Sequence, residues 1–205
     1  MTINDNAVDM GEMTPGLGYF KTVVPSNEVK TDNTLKVTKD TPGLSWGAVY
    51  VQYTAKSDDV SDVGNELKVT RRYLVESKNA DGTTTMRDLR DGEKLEIGQK
   101  VTVRLTVTAD RDMDFVSVRC QRAACFEPKE QLSGYRYKSG QGYYQSVHDS
   151  NTDYFFDIFR RGTCTLDMNL VVVRSGHYLD GLANVQCAYS PGFAGHSRGT
   201  AVDVR

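Results

Sequence analysis

Four cysteines, three histidines and one acidic run are the residues of this chain whose types could do chemistry. Zinc sites draw their ligands from closely spaced pairs. Cys120, Cys125, Cys164 and Cys187 contain no CxxC pair, and His148, His177 and His196 show no ligand spacing. Asp110-Arg111-Asp112-Met113-Asp114 begins like a calcium loop. Such a loop needs glycine at its sixth position and glutamate at its twelfth. Phe115 and Gln121 stand there, so the run reads as a solvated turn between strands. A Cys–His nucleophile would fall to Cys125 and His148, but no signature surrounds either, and no orienting Asn or Asp can be assigned. HExxH, P-loop and GxGxxG patterns are absent from the sequence. The expectation is therefore a non-enzyme, with no catalytic residue, no metal and no cofactor.

What stands out instead is tyrosine. Tyr135, Tyr137, Tyr143 and Tyr144 fall within residues 134–145, among Gly134, Gly140 and Gly142. Glycine loosens the backbone and tyrosine carries a large amphipathic ring, so the stretch reads as a flexible loop. Such a loop either folds over an edge of its own domain or offers a contact surface to another domain or partner. Cys164 shares strand parity with Leu166 and Met168, and Cys187 with Ala183 and Val185, so both are expected to face inward. If their strands are hairpin neighbours, a disulfide is geometrically possible. Two free core cysteines fit equally well.

The elements that must position these residues have a period of two. Val101–Thr108 alternates apolar and polar residues without a break, as does Cys164–Leu170, and Leu67–Val75 does so less regularly. One face of each is buried and one is wet. Residues 46–53, 114–118, 154–158 and 183–189 are rich in aromatic and β-branched residues and read as further strands. Asp81-Gly82, Asp91-Gly92, Ser175-Gly176 and Pro191-Gly192 punctuate them. No window sustains a 3.6-residue apolar period. The fold class is all-β, an antiparallel β-sandwich.

Composition narrows the partners. The chain has 205 residues, 39% apolar and 25% charged, with a net charge of −2. That suits a folded globular domain, offers no basic footprint for nucleic acid, and contains no apolar run long enough for a membrane span. No basic-then-apolar leader is visible at the start of the chain. The early residues differ from the rest. They hold Pro15, Pro25 and Pro42 and few strong strand runs, and Ser57–Asp62 is polar and acidic. A boundary is expected near residue 60, with 1–60 forming strands and a linker that need a partner and 61–205 forming the sandwich.

Several motifs in fixed order resemble a known family. They are residues 98–107 running into 109–116, Arg122–Pro128, Gln131–Tyr135, Gly142–Tyr144, Phe155–Asp157, Arg161–Thr163, Gly176–Tyr178 and Tyr189–Phe193, preceded by 16–22 and 45–53. Together they are similar to the C-terminal end of bacterial alpha-2-macroglobulins of the Bacteroides type, across about residues 10–205. The resemblance implies a fragment of a much larger protease-trapping inhibitor of the periplasm or cell surface. Residues 1–60 would follow the thioester domain and supply strands of a partial CUB-like domain. Residues 61–205 would be the last macroglobulin-like sandwich, immunoglobulin-like in layout. Its partners would be the other domains of the same chain and, through the full-length protein, target proteases. The family's thioester needs Cys-x-Glu-Gln, and Cys125-Phe126-Glu127-Pro128 has proline in place of the glutamine. The implied role is to dock on the thioester domain and shield it, with the four tyrosines as the shielding residues. An aromatic residue and a serine are typical where Cys164 and Cys187 stand, and replacement of both favours the bridge. The alternative function is an adhesion or ligand-binding sandwich that uses the tyrosine-rich stretch as its binding face.

Overall fold

A computed structural model describes residues 1–9, 18–40 and 42–205. Pro15 and the Gly16-Leu17 end of one family-like motif lie outside the described residues. The chain divides into two compact units, Met1–Gln52 and Tyr53–Arg205, a division that falls earlier than the expected boundary near residue 60.

The first unit contains a small antiparallel sheet of β1 (Thr2–Ile3), β2 (Asn6–Ala7) and β3 (Leu35–Lys36). Asn4 and Asp5 turn the chain between β1 and β2 with φ of 49° and 66°, a conformation that Asn and Asp tolerate best after glycine. Residues 46–52, expected as most of a strand, lie outside any strand. Trp46, Val49, Tyr50 and Val51 are all strongly exposed. Their side chains suit a pleated sheet, but no ladder partner reaches them among the described residues.

The second unit is the expected antiparallel sandwich. One sheet has the order β10 (Phe126–Pro128), β14 (Gly162–Val172), β8 (Lys100–Ala109), β5 (Leu67–Lys78) and β6 (Thr84–Asp88). The other has the order β11 (Gly134–Lys138), β12 (Gln141–Val147), β13 (Asn151–Phe159), β9 (Met113–Gln121), β16 (Ala183–Cys187), β17 (Ala194–His196) and β4 (Val63–Gly64). A third, small sheet joins β15 (Gly176–Asp180), β18 (Thr200–Val204) and β7 (Lys94–Leu95), and its β18–β7 pair is parallel. The period-two reading of β8 and β14 holds residue by residue. Val101, Val103, Leu105 and Val107 are buried, as are Cys164, Leu166, Met168 and Leu170, while their polar neighbours stay wet.

The polar stretch 57–62 packs on this unit instead of hanging free. Ser57–Asp59 forms a 3-10 turn, and the Gly199 N–H donates to the Val60 carbonyl at 3.0 Å. The Asp62 carboxylate accepts from the Arg198 N–H at 2.6 Å. Only glycine fits at 199, because a Cβ there would lie 1.3 Å from the Ser57 carbonyl oxygen.

One polar group is sunk in the core where the strand pattern asks for an apolar residue. Arg71, on the inward face of β5 between Val69 and Tyr73, is 4% exposed. Its guanidinium lies over the Tyr73 ring, 5.4 Å from the centroid. It donates to the Gln121 carbonyl at the end of β9 at 3.3 Å and pairs with the Asp180 carboxylate at the end of β15 at 3.4 Å. All three sheets therefore meet on one guanidinium. Burial pushes the Asp180 carboxyl up to about 6, outweighing the attraction of Arg71.

Two outcomes follow. Removing one member of a buried pair typically costs about 3–5 kcal/mol, whereas replacing both with apolar residues costs far less. Arg71→Met alone is expected to lower the urea-unfolding stability by that amount, and Arg71→Met/Asp180→Leu to recover most of the loss. Equal losses in the two variants would contradict the three-sheet tie. The second outcome concerns pH. The folded-state carboxyl of Asp180 titrates above its unfolded value of about 3.9, so the folded state binds this proton more tightly from about pH 4 to pH 6. Its contribution to stability is full below that window and is lost as pH rises through it. Asp180→Asn should gain stability relative to the wild type as pH rises across the window; a difference that stays constant refutes the assignment.

Candidate functional site

The tyrosine-rich stretch is a β-hairpin, not a loop. Gly134 pairs with Gln145 and Lys138 with Gln141, so β11 and β12 run in full register. Ser139 and Gly140 close the hairpin with φ of 54° and 74°, the two left-handed residues of a tight two-residue turn. Of the three glycines only Gly140 serves the turn. Gly134 and Gly142 are strand residues, which is why glycine content misreads the segment.

Register then gives the four rings different fates. Tyr143 faces inward and is 7% exposed, packing on Tyr154 at 5.8 Å and Phe156 at 5.3 Å between ring centroids. Tyr135 and Tyr144 are directly opposite each other on the outer face and meet edge to face at 5.1 Å. Tyr135 and Tyr137 are 78% and 76% exposed. The hairpin thus anchors itself with one ring and presents the others. It is also tied to the facing sheet, because Lys138 donates to Asp167 of β14 at 2.9 Å. Burial alone would raise the Asp167 carboxyl, but hydrogen bonds from Arg104 and Lys138 hold it below the usual range.

The outer face continues the aromatic row. Tyr144 is opposite Phe155 on β13, Phe155 is opposite Ser117 on β9, and Ser117 is opposite Gln186 on β16. Phe155 is half-exposed. The sequence alone does not single it out, since it sits between Tyr154 and Phe156 and only the register decides which ring faces out. Phe115 is likewise half-exposed and meets Tyr189 edge to face at 5.1 Å. Its φ of 54° is strained for a bulky side chain.

Two other constellations do not make a site. Ser146 Oγ lies 3.0 Å from His148 Nε2, and Asp153 Oδ2 lies 3.7 Å from the same nitrogen. A relay needs the hydroxyl and the carboxylate on opposite ring nitrogens. Asp153 is moreover engaged by Arg119 at 2.8 and 3.0 Å. The second is the cysteine pair. Cys164 and Cys187 are both buried, as their parity requires, but β14 and β16 belong to different sheets and are not hairpin neighbours. The expected bridge is not formed; all four cysteines are free thiols, and Cys187 Sγ donates to the Asp114 carbonyl at 3.2 Å. Strand parity fixes which way a side chain points but not which sheet holds it. Burial raises the Cys125 thiol to about 11 and pushes Cys120 and Cys164 up as well, away from nucleophilic character. Among the described residues no cluster of three or more His, Cys, Asp and Glu could hold a metal.

Two packed antiparallel sheets with an aromatic edge hairpin are the layout of a macroglobulin-like β-sandwich. Comparison with solved structures supports that class. Salmonella alpha-2-macroglobulin is 19% identical with a TM-score of 0.56, the match covering 71% of this chain and 10% of that one. Escherichia coli alpha-2-macroglobulin from domain MG7 to the C-terminus is 16% identical with a TM-score of 0.55, covering 70% and 24%. The same protein activated by porcine elastase is 18% identical with a TM-score of 0.54, covering 71% and 14%. A search of curated proteins found no match. Residues 67–192 match the family model of the bacterial alpha-2-macroglobulin MG10 domain, and the chain belongs to that family. It spans between a tenth and a quarter of the length of these structural relatives.

The split roles of the tyrosines are measurable. Truncating a buried aromatic ring costs about 3–5 kcal/mol, and an exposed one about 0.5 kcal/mol or less. Tyr143→Ala is expected to destabilise the protein by the first amount and Tyr137→Ala by the second, read by urea unfolding. Similar losses in both would mean that the hairpin is only a cap.

Proposed function

We propose that this chain is a non-catalytic C-terminal portion of a protease-trapping inhibitor, and that its sandwich docks on and shields the neighbouring thioester domain of the same full-length protein. The observation that carries this reading is the hairpin at the sheet edge in a chain that belongs to the MG10 family. Tyr135 and Tyr137 face solvent there, and among the described residues no strand pairs with the outer edge of β11. Rings on a rigid hairpin exclude water at low entropic cost, which is what a reactive acyl bond on a neighbour would need. The first unit fits the same picture. Trp46, Val49, Tyr50 and Val51 suit a strand and lie exposed, which supports residues 1–60 as strands of a CUB-like domain completed by chain that precedes them. Target proteases are reached through the full-length protein, in the periplasm or at the cell surface. Among the described residues no helix is long and apolar enough to cross a membrane.

Hydrogen exchange tests the docking directly. The backbone amides on the open edge of β11 and the segment 46–53 should exchange quickly in this chain alone and be protected in the full-length protein. In the full-length protein, Tyr135→Ala/Tyr137→Ala should return β11, but not β8, towards fast exchange. Equal exchange of β11 in the isolated chain and the full-length protein would overturn the reading.

A further inference from the structure

The outer face of the hairpin holds a cleft of about 400 Å³. Tyr135, Tyr144 and Phe155 form its aromatic wall, Gly142 and Tyr143 line it beneath, with the Tyr137 ring beside Gly142, and Asp157 lines it two residues beyond Phe155 on β13. These three rings are consecutive cross-strand neighbours on one face. With strands about 4.8 Å apart, they cover roughly 10 Å across the sheet. Asp157 is exposed and has no hydrogen bond or ion pair among the described residues. By contrast, Asp88, Asp110, Asp112, Asp153 and Asp167 each hold an arginine. Arg136 also lines the cleft but does not pair with Asp157, because its Nη1 and Nη2 donate to the Tyr135 and Leu132 carbonyls at 3.2 and 3.3 Å.

An unpaired carboxylate beside three exposed rings is suited to an organic cation. The rings and the carboxylate attract the same charge, and Gly142 adds no side chain to the cleft. We propose that this cleft receives a single basic side chain, a lysine ammonium or an arginine guanidinium, presented by the polypeptide that docks on the hairpin. The identity of that polypeptide as a neighbouring domain rests on the reading above; the cation preference of the cleft does not. The hairpin tyrosines then set which surface is accepted, since a partner without a cation at this spot would leave Asp157 desolvated and unpaired.

The test uses this chain with arginine amide as the probe and citrulline amide as its neutral isostere, each at about 0.1 M because a single exposed cation–ring site binds weakly. Ring resonances of Tyr135, Tyr144 and Phe155 are followed by NMR. Arginine amide is expected to shift them several-fold more than citrulline amide, and lysine amide to do the same. The preference should disappear in Asp157→Asn and weaken in Tyr144→Ala, while Tyr189→Ala, at the Phe115 contact outside the cleft, leaves it intact. Tyr154 and Phe159 resonances in each variant report that the fold is kept. Equal shifts from the two amides, shifts from a neutral methyl glycoside of the same size, or no shifts at all would each overturn the cation site. None of these outcomes bears on the exchange protection of β11 in the full-length protein, so the two proposals fail separately.

Discussion

The guanidinium of Arg71 is the point on which the sandwich is registered. It reaches from β5 to the last residue of β9 and to the last residue of β15, so each of the three sheets contributes one contact to a single planar group. Hydrophobic burial alone would hold the sheets together but would tolerate sliding, because rows of Val and Leu look alike after a shift of two residues. A fork of fixed geometry does not tolerate it. The tie is not a large source of stability, since burial of Asp180 costs more than the attraction of Arg71 returns. Its value lies in allowing one alignment. That alignment sets where the far end of the seven-stranded sheet, and with it the hairpin, stands relative to the five-stranded sheet.

From that alignment the face follows by register. Once β9 is placed, β13 pairs with it from Asn151 to Phe159, β12 with β13, and β11 with β12. Ser117, Phe155, Tyr144 and Tyr135 then fall into one outward row. Lys138, held by Asp167, keeps the hairpin from swinging off the edge. The surface is thus an output of core packing rather than of loop conformation. It is also rigid before any partner arrives, and rigidity in the free state lowers the ordering cost of binding.

Much of this was legible in the sequence, and what was not has physical reasons. Alternation in Val101–Thr108 and Cys164–Leu170 showed strands because their two faces meet different media. The same alternation could not say that Cys164 and Cys187 lie in different sheets, since parity is silent on strand neighbours. The hairpin was hidden because Ser139-Gly140 lacks the Asn-Gly or Asp-Gly signature, and because Gly134 and Gly142 dilute the strand pattern on either side. Phe155 and Asp157 belonged to a family-like motif and a strand but gave no sign of a cleft: a lone carboxylate and a ring among rings come together with Tyr144 only through the register. In the sequence Arg71-Arg72 looks like a solvated basic pair. The partner of Arg71 lies more than a hundred residues away, and nothing near it in the chain announces Asp180.

The pairing of β4 with β17, and of β7 with β18, joins segments from opposite ends of the second unit. Neither pair can form until nearly all of the intervening chain is present and the two large sheets have been threaded around it. Closure over such separations costs entropy before the contacts repay it, which places these two pairings late in folding. Before that point the inward faces of β5 and β8 are uncovered on a nascent chain. A domain built this way depends on its environment during synthesis, and its vulnerability to aggregation lies in the time before closure rather than in the finished fold.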